Sequence, residues 1–311
     1  LYPLTAEHAK PALPFAKKKS VEILRQGYSS SEEAELQAIR EWSERTVDDE
    51  YEDNPIRDAS ARHPVDLVPT LLAAHEIPPE HRDERERYVD LVCEEIVPAV
   101  AERGLARFSD VFCERGVFTP EESRRVLEAG ARHGMKPRLH ADEFVDSGGA
   151  ELAAELGALS ADHLIAVSEA GIEALARSGV TAVLLPGTSF FLMKHHYAPA
   201  RRLVEAGVPV ALATDCNPGS SYTESMPMVL TLAVFESGLT IEEALTAATL
   251  NAACCLELGH EIGSIEEGKR ADLVLLDAPN LFHLVYHYGV NPVAAVVKGG
   301  RVAYRAARVG R

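Results

Sequence analysis

Residues 136–144 read KPRLHADEF, a short apolar run that leads directly into a histidine and two acidic side chains. His140 and Glu143 stand where a buried strand is expected to end. Proteins built from parallel strands and helices place their functional residues at the carboxyl ends of the strands. The segment therefore predicts a strand that carries a histidine and a carboxylate into a functional site.

Further β-rich apolar runs repeat this pattern along the chain. Together with the first, they span residues 65–75, 108–118, 136–143, 159–164, 181–189 and 208–219. Between them, several segments place apolar residues at spacings of three and four and end in glycine, as amphipathic helices do. Thr119-Pro120 and Ser168 stand where an N-cap and the first turn of a helix are expected. Strands and helices in alternation predict parallel strands joined by crossover helices.

The positions of polar side chains distinguish two folds that share this alternation, an open doubly wound sheet and a closed (β/α)8 barrel. His75, His140, Glu143, His163 and Asp215 each lie near the carboxyl end of a predicted strand. A barrel brings these ends together around one site. We therefore predict an α/β fold of the TIM type, a (β/α)8 barrel.

The chain divides into segments of different character. Residues 1–20 show no clear period, and residues 46–62 are acidic and lack a helical pattern. Residues 259–311 contain β-type runs separated by glycine and proline, which predicts a small β-rich appendage. We therefore predict an atypical N-terminal segment over 1–20, a partial barrel over 21–258 and a C-terminal segment over 259–311 that includes sandwich strands. Pro69 falls within a predicted strand, where it would remove a backbone donor.

The composition indicates a large globular protein and argues against two classes of partner. The chain has 311 residues, of which 46% are hydrophobic, and its formal net charge is −17. That charge would repel nucleic acid and anionic membrane surfaces alike. The apolar runs fall far short of the ~20 residues that cross a bilayer, so we predict a cytoplasmic protein. The five cysteines show no C-x-x-C spacing, and we expect them to be reduced thiols.

Histidine and aspartate at strand ends suit a divalent ion such as zinc or iron. His140 and Asp215 have such positions, but a histidine bonded to a backbone carbonyl and an aspartate in an Asx-turn would explain them as well. His163, taken alone, has the features of a structural histidine. Glu143 stands on the rim of the barrel, where a general acid–base group is needed. The remaining histidines near predicted strands or loops are interpreted as solvated or packing residues: His195, His196, His283 and His287.

Eight motifs, in order, resemble one family, the imidazolonepropionases of the metal-dependent amidohydrolase superfamily. They read AAHEIPPE, LHADE, GGAELAAELGALSADHL, AVLLPGTSFFL, LATDCNPGSS, TLNAA, GSIEEGKRADLVLLDAPN and YHYGVN. The resemblance implies a barrel that holds one divalent metal ion, zinc or iron, and a small β-sandwich built from both chain ends. It also implies a small-molecule substrate, because the family hydrolyses 4-imidazolone-5-propionate to N-formimidoyl-L-glutamate in histidine degradation.

The family's motifs imply roles for particular residues of this chain. The metal ligands match His140 and Asp215. The residues that carry protons or orient the attacking water match Glu143, His163 and Asp215. The substrate-binding residues match Tyr28, His75, Glu143, Asn217, Gly219 and Ser220.

The chain departs from this family pattern on its N-terminal side. The family's first barrel strand carries an H-x-H pair that supplies two further metal ligands, and no H-x-H occurs in this sequence. The loop that carries Tyr28 also differs from the family's Lys-Ser-Gly-Tyr-Gly-Leu. We therefore expect a barrel that is incomplete at its N-terminus and that holds metal weakly or not at all.

The sequence leaves three functions open. The first is imidazolonepropionase activity, which AAHEIPPE and YHYGVN favour because they are peculiar to that family's pattern. The second is a non-catalytic relative that keeps the amidohydrolase fold and binds a small anion. The third is a sister amidohydrolase that acts on another cyclic amide. A homodimer is compatible with each of them, since the sequence does not fix the oligomeric state.

Overall fold

The computed structural model describes residues 63–307, which form a six-stranded parallel sheet with its helices and a three-stranded antiparallel sheet. Tyr28, the acidic residues 46–62 and the predicted boundary between residues 20 and 21 lie outside the described part. Within it, both the strand–helix alternation and the β-rich C-terminal segment that the sequence predicts are present. The division between residues 258 and 259 stays a prediction.

The parallel strands follow one another in the sheet in the same order as in the sequence. They are β1 (Thr70–Ala74), β2 (Phe108–Cys113), β3 (Lys136–Ala141), β4 (Ser160–His163), β5 (Thr181–Leu184) and β6 (Val210–Leu212). Because every neighbouring pair is parallel, all carboxyl ends lie at one edge of the sheet. A (β/α)8 barrel has eight such strands, and the described residues supply six of them. The prediction of an incomplete barrel is confirmed for this part of the chain.

Short helices connect and cover the strands. They are α1 (Arg85–Leu91), α2 (Val97–Glu102), α3 (Pro120–Arg132), α4 (Gly149–Leu156), α5 (Glu169–Ser178), α6 (Pro186–Phe191), α7 (Ala200–Glu205), α8 (Met226–Phe235), α9 (Ile241–Thr246), α10 (Ala252–Cys255) and α11 (Phe282–Tyr286). Wider π-helical turns over Val92–Ile96 and Ala247–Asn251 join α1 to α2 and α9 to α10. None of the helices between residues 63 and 307 is both long and apolar enough to cross a membrane.

Side-chain caps explain where several helices begin. Thr119 precedes α3 in a capping box: its Oγ1 accepts from the backbone N of Glu122 at 3.2 Å, and Glu122 Oε2 accepts from the backbone N of Thr119 at 2.8 Å. Thr240 and Glu243 repeat this arrangement before α9. Ser168 caps α5 through the backbone N of its third residue. The helix starts after Thr119 and Ser168 agree with those expected from the sequence.

The central strands are buried on both faces. Every residue of β4 and of β5 is buried, as expected for parallel strands with helices on one side and the barrel interior on the other. Leu139, Leu175 and Leu184 are fully buried, and burial of a leucine stabilises the fold by roughly 1.5–3 kcal/mol. The same interior holds a charged pair, because Arg138 Nη2 lies 3.5 Å from Asp162 Oδ2.

The C-terminal part of the described chain forms the second sheet. Strands β7 (Leu273–Leu276), β8 (Val293–Lys298) and β9 (Arg301–Arg305) pair in antiparallel order. The predicted β-rich appendage is therefore confirmed. Large apolar side chains on this sheet are exposed, among them Val274, Val302 and Tyr304.

The expectation that Pro69 interrupts a strand is wrong. The strand β1 begins one residue later, at Thr70. The carbonyl oxygen of Pro69 accepts a hydrogen bond from the backbone N of Arg107 at 2.9 Å, and this bond needs no donor from the proline. Proline is tolerated at the start of a strand for this reason.

Candidate active site

The carboxyl edge of the parallel sheet gathers the side chains that the sequence predicts for a site. His75 follows β1 directly, His140 is the fifth residue of β3, and His163 ends β4. Glu143 lies two residues beyond β3, and Asp215 lies three residues beyond β6. The ring of His140 is central, with its centroid 4.4 Å from that of His75 and 5.2 Å from that of His163.

The backbone is left-handed at several of these strand ends, although the residues are not glycine. The angle φ is 49° at Asp142, 74° at His163 and 50° at Asp215. Such a conformation costs roughly 1–3 kcal/mol and persists where the surrounding structure enforces it, often at functional sites. The concentration of strained turns at one edge of the sheet is typical of an active site.

A buried aspartate in the neighbouring strand binds two of the histidines. Asp110 lies in the middle of β2 and is only 3% exposed. Its Oδ1 lies 2.7 Å from Nδ1 of His140 and 2.9 Å from Nε2 of His75. Because an ionised carboxylate only accepts hydrogen bonds, both ring nitrogens that face it carry protons. The nitrogen of His140 that remains free is therefore Nε2.

Burial and charge act in opposite directions on the ionisation of this cluster. Burial disfavours the charged forms, but the attraction between His140 and Asp110 outweighs it. The pKa of Asp110 is therefore held well below its usual range, and the pKa of His140 is raised to about 9. Burial, reinforced by the charge of His140, holds the pKa of His163 well below its usual value. At neutral pH, His163 is a neutral imidazole that can donate one hydrogen bond and accept another.

Glu143 is 6% exposed and lies between a histidine and a lysine. Its Oε2 is 3.7 Å from Nε2 of His163, and its Oε1 is 3.6 Å from Nζ of Lys194. Burial raises the pKa of Glu143, and the charge of Lys194 partly offsets this effect. A buried carboxyl group with a raised pKa at the carboxyl ends of parallel strands has the properties that general acid–base catalysis requires.

Lys194 reaches Glu143 from the loop that follows α6. Its ammonium lies 3.3 Å from the centre of the Phe144 ring, and within residues 63–307 it has no hydrogen-bond partner. Its neighbours Met193 and His195 both have left-handed backbone, with φ of 53° and 55°. The loop thus holds a cation against an aromatic face and a carboxylate at the expense of local strain.

Two other buried carboxylates hold the loop that carries Glu143. Glu114 Oε2 accepts from the backbone N of Phe144 at 2.8 Å, and its Oε1 accepts from Ser147 Oγ at 2.9 Å. Asp142 accepts three backbone hydrogen bonds of 2.9 to 3.1 Å from the turn before α4 and from its first two residues. Asp142 is therefore occupied as a helix cap. Glu143 is the buried carboxylate of this segment that accepts no hydrogen bond from its backbone.

The segment after β6 forms a tight turn around Asn217. Asn217 Oδ1 accepts from the backbone N of Gly219 and of Ser220, both at 2.8 Å, and its Nδ2 donates to the backbone oxygen of Asp215 at 2.8 Å. A Cβ at position 219 would lie 3.3 Å from Asn217 Oδ1, so the turn leaves little space for a larger residue there. Thr188 Oγ1 donates to Asp215 Oδ2 at 2.6 Å and fixes the orientation of that carboxylate.

His140 and Asp215 fit a divalent metal ion by the chemistry of their donor atoms. Nε2 of His140 is the nitrogen that does not face Asp110, and a bound metal ion would replace the proton that it carries at neutral pH. A histidine oriented by a carboxylate in this way is the usual arrangement for a metal ligand. Asp215 is close enough to contribute to the raised pKa of His140. Within residues 63–307, these two are fewer than the three protein ligands usual for catalytic zinc. The expectation of weak metal binding stays a prediction.

The same histidine also belongs to a tighter group of potential ligands. One ligand atom from each of His75, Asp110 and His140 lies within 4.8 Å of the others. The described residues therefore contain a candidate metal-binding group of the imidazole and carboxylate type that suits zinc or iron.

The structure gathers most of the predicted site residues, and their roles stay predictions. Tyr28 lies outside the described residues. His195 and His196 are exposed on the loop after α6 and are not part of the candidate metal-binding group of His75, Asp110 and His140. His283 and His287 contact each other, with Nε2 and Nδ1 3.1 Å apart, at the start and just beyond the end of α11.

The sequence analysis missed Asp110, Glu114 and Lys194. For Asp110 a signal exists, because it is a lone charge inside the apolar run FSDVFC of a strand that must be buried on both faces. A charge in such a place needs a partner. Lys194 carries no comparable signal, since a lysine in a loop is ordinarily solvated.

Comparison with known proteins agrees with this geometry. Residues 114–303 match the family model described as the amidohydrolase family. The chain is 56% identical over 247 residues to the imidazolonepropionase of Geobacillus thermodenitrificans (strain NG80-2), a match that covers 79% of this chain and 58% of the relative. It is 50% identical over 265 residues to the imidazolonepropionase of Brevibacillus brevis (strain 47 / JCM 6285 / NBRC 100599), a match that covers 85% of this chain and 62% of the relative. The chain thus spans about three fifths of the length of these curated relatives.

Solved structures share the fold at low sequence identity. An adenosine deaminase from Xanthomonas campestris with bound zinc gives a TM-score of 0.60 at 23% identity, covering 79% of this chain and 62% of that one. A 5-methylcytosine deaminase from Klebsiella pneumoniae gives a TM-score of 0.64 at 20% identity, and the match covers 79% of this chain and 65% of that one. At these identities the likeness concerns the fold alone. The family model matches more than half of the length of this chain, and the chain therefore belongs to the amidohydrolase family.

Proposed function

We propose that this protein hydrolyses the cyclic amide of 4-imidazolone-5-propionate to N-formimidoyl-L-glutamate, a step of histidine degradation. The observation that carries the proposal is the 56% identity with a relative named imidazolonepropionase over 79% of the chain. Solved proteins that share only the fold are 18% to 24% identical to this chain. Identity of more than twice that size supports a shared substrate as well as a shared fold.

Substrate binding is assigned to residues around the strand ends. His75 offers its Nδ1 to the substrate, because its Nε2 is bonded to Asp110. The turn formed by Asn217, Gly219 and Ser220 lets the substrate approach the backbone closely, because glycine has no Cβ. The resemblance adds Tyr28 and Glu143 to this set.

His140 and Asp215 would hold one divalent ion, zinc or iron. Such an ion polarises a carbonyl group and lowers the pKa of water from 15.7 toward ~7. The other residues of the site then have to position the ring and move protons.

Hydrolysis joins the water oxygen to the amide carbon and breaks the bond between that carbon and the ring nitrogen. The water loses a proton and the leaving nitrogen gains one. Glu143 is suited to both transfers, because its raised pKa lies closer to neutrality than that of an ordinary glutamate. Asp215 is a second proton carrier. His163, neutral at pH 7, orients the water or the ring through hydrogen bonds.

Two histidine variants test the assignment of roles. His140→Ala should lose both zinc and turnover, because a site with so few ligands cannot spare one. His163→Ala should keep zinc and lose turnover by roughly 10²-fold or more, because the water or the ring then loses the hydrogen bond that orients it. The measurements are zinc affinity, by titration against a competing chromophoric chelator, and the rate of substrate loss with excess zinc or iron. Retained metal with lost turnover in His140→Ala would remove it from the ligand set.

The same assay separates the proposal from its alternatives. A metal-loaded wild-type chain that leaves imidazolone propionate intact but cleaves another cyclic amide would favour a sister amidohydrolase. A chain that cleaves neither and binds small anions would favour a non-catalytic relative. The cytoplasmic location and the homodimer belong to the proposal for the same enzyme, with size-exclusion chromatography as the test of the dimer.

A further inference from the structure

Asp110 is a buried residue, and a single oxygen of its carboxylate, Oδ1, contacts two histidines that belong to different strand ends. It lies on β2, between β1, which leads into His75, and β3, which carries His140. In the parallel register, Asp110 pairs with Arg138, two residues before His140. Asp110 and His140 thus lie on adjacent, hydrogen-bonded strands, and His75 directly follows the strand on the other side of Asp110.

The hydrogen bonds determine which nitrogen of each ring is free. The two bonds to Asp110 Oδ1 measure 2.7 Å from His140 Nδ1 and 2.9 Å from His75 Nε2. Opposite nitrogens are therefore bonded in the two rings, which meet nearly edge-on with an interplanar angle of 82°. What remains available is Nε2 on His140 and Nδ1 on His75.

We infer that Asp110 is a positioning residue that orients His140 and His75 together, so that Nε2 of His140 faces the metal ion and Nδ1 of His75 faces the substrate. This inference rests on the proposed function for its account of His75. It assigns no contact between Asp110 and either the ion or the substrate. Its consequence is that the metal ligand and the substrate-binding histidine are coupled through one oxygen atom, so that loss of the carboxylate disturbs both.

A different role for Asp110, as a third metal ligand beside His75 and His140, is less consistent with the geometry. An ion bound by Asp110 Oδ1 and by the two nitrogens nearest to it would replace the hydrogen bonds that those nitrogens now make. Both nitrogens are within hydrogen-bond distance of Oδ1 and carry the protons of those bonds. Metal binding there would displace both protons and break both bonds.

The substitution Asp110→Asn is the first test, with Asp162→Asn as the matched control. Asp162 is a buried carboxylate on β4 that pairs with Arg138. We expect Asp110→Asn to weaken zinc affinity by about 10- to 100-fold, the usual effect of removing a group that orients a metal ligand. Zinc affinity is measured by competition with a chromophoric chelator. An equal loss in both variants, or no loss in Asp110→Asn, would overturn the inference.

A spectrum of the wild-type chain keeps the inference testable if Asp110→Asn does not fold. In protein labelled with ¹⁵N at histidine and loaded with excess ¹¹³Cd, the one-bond coupling identifies the nitrogen that binds the ion. We expect coupling to Nε2 of His140 and none to His75. Coupling to Nδ1 of His140 or to either nitrogen of His75, or a chain that takes up no cadmium, would overturn it. These readouts need no turnover, so they stand apart from any failure of the proposed reaction.

Effects on substrate separate positioning from simple metal loss. At zinc concentrations that saturate the site, Asp110→Asn should still raise KM for imidazolone propionate, because His75 has also lost its orientation. The Asp162→Asn control should keep the wild-type KM. A normal KM for Asp110→Asn at saturating zinc would remove His75 from the inference.

Discussion

Two influences act on the pKa of Glu143 in opposite directions. Burial against the strand ends favours the neutral acid, and the ammonium of Lys194 favours the carboxylate. Lys194 itself is held by Phe144 and by a strained loop. At the scale of single residues, the site therefore adjusts one carboxyl group between its two protonation states, as a group that both takes and gives a proton needs.

Replacing Lys194 with methionine should shift the pH dependence of turnover. The variant keeps the length of the side chain but removes its charge, so burial then acts on Glu143 without that counterweight and its pKa rises further. The limb of the kcat/KM profile that reports Glu143 should move to higher pH. Lys194→Arg keeps the charge and should leave that limb close to its wild-type position. A Lys194→Met profile identical to the wild type would show that the ammonium does not influence Glu143.

Single residues were predictable from the sequence where a motif or a strand end marked them. His140, Glu143 and His163 stand at strand ends, and the structure places them there. The charge of Asp110 inside the apolar run FSDVFC indicates that it needs a partner, but its contacts with residues 30 and 35 positions away do not appear in any local pattern. Tyr28 stays a prediction, as do the roles of the residues that the structure gathers.

At the scale of elements, the close contact between β3 and α4 holds the loop that bears Glu143. Gly149 begins α4, and a Cβ there would lie 2.8 Å from the Cβ of Ala141 at the end of β3. Ala141 adjoins His140 on one side and the Glu143 loop on the other. Glycine at this position therefore allows the helix to approach the strand that carries the candidate metal ligand.

The substitution Gly149→Ala should destabilise the protein and disturb its site. The added methyl group overlaps backbone and Cβ of Ala141, and overpacking of this kind costs roughly 1–3 kcal/mol. Gly157→Ala is the control, because φ is 58° there but no atom lies within 4 Å, so its cost of about 1–2 kcal/mol comes from backbone strain alone. Urea unfolding should show a lower free energy of unfolding in both variants, and only Gly149→Ala should weaken zinc binding. Wild-type stability in Gly149→Ala would contradict the close contact.

The sequence predicted elements better than their limits. Hydrophobic runs indicated all six parallel strands, and the caps at Thr119 and Ser168 marked helix starts correctly. The run 65–75 was taken to begin before Pro69, whereas β1 begins at Thr70. Apolar residues continue beyond the ladder there, and only the pairing with β2 determines where the strand starts.

At the scale of the whole molecule, the described residues form six strands of a barrel whose fold places all carboxyl ends at one edge. The fold class was predictable because strand–helix alternation and polar strand ends are properties of the entire sequence. Metal affinity depends on how many ligands converge, and within residues 63–307 the proposed site offers His140 and Asp215. The number of ligands does not identify the reaction. Turnover of the substrate therefore reports most directly on the assembled site.

The turnover of imidazolone propionate by the wild-type chain and by Glu143→Gln, at saturating zinc, tests the central claim most directly. The variant keeps shape and hydrogen-bonding reach but cannot carry the proton. The wild type should form N-formimidoyl-L-glutamate, and Glu143→Gln should bind zinc equally while kcat falls by about 10²- to 10⁴-fold. The loss should appear in kcat rather than in KM, because the interaction belongs to the transition state. A zinc-loaded wild type without turnover, or an unchanged kcat in Glu143→Gln, would contradict the account.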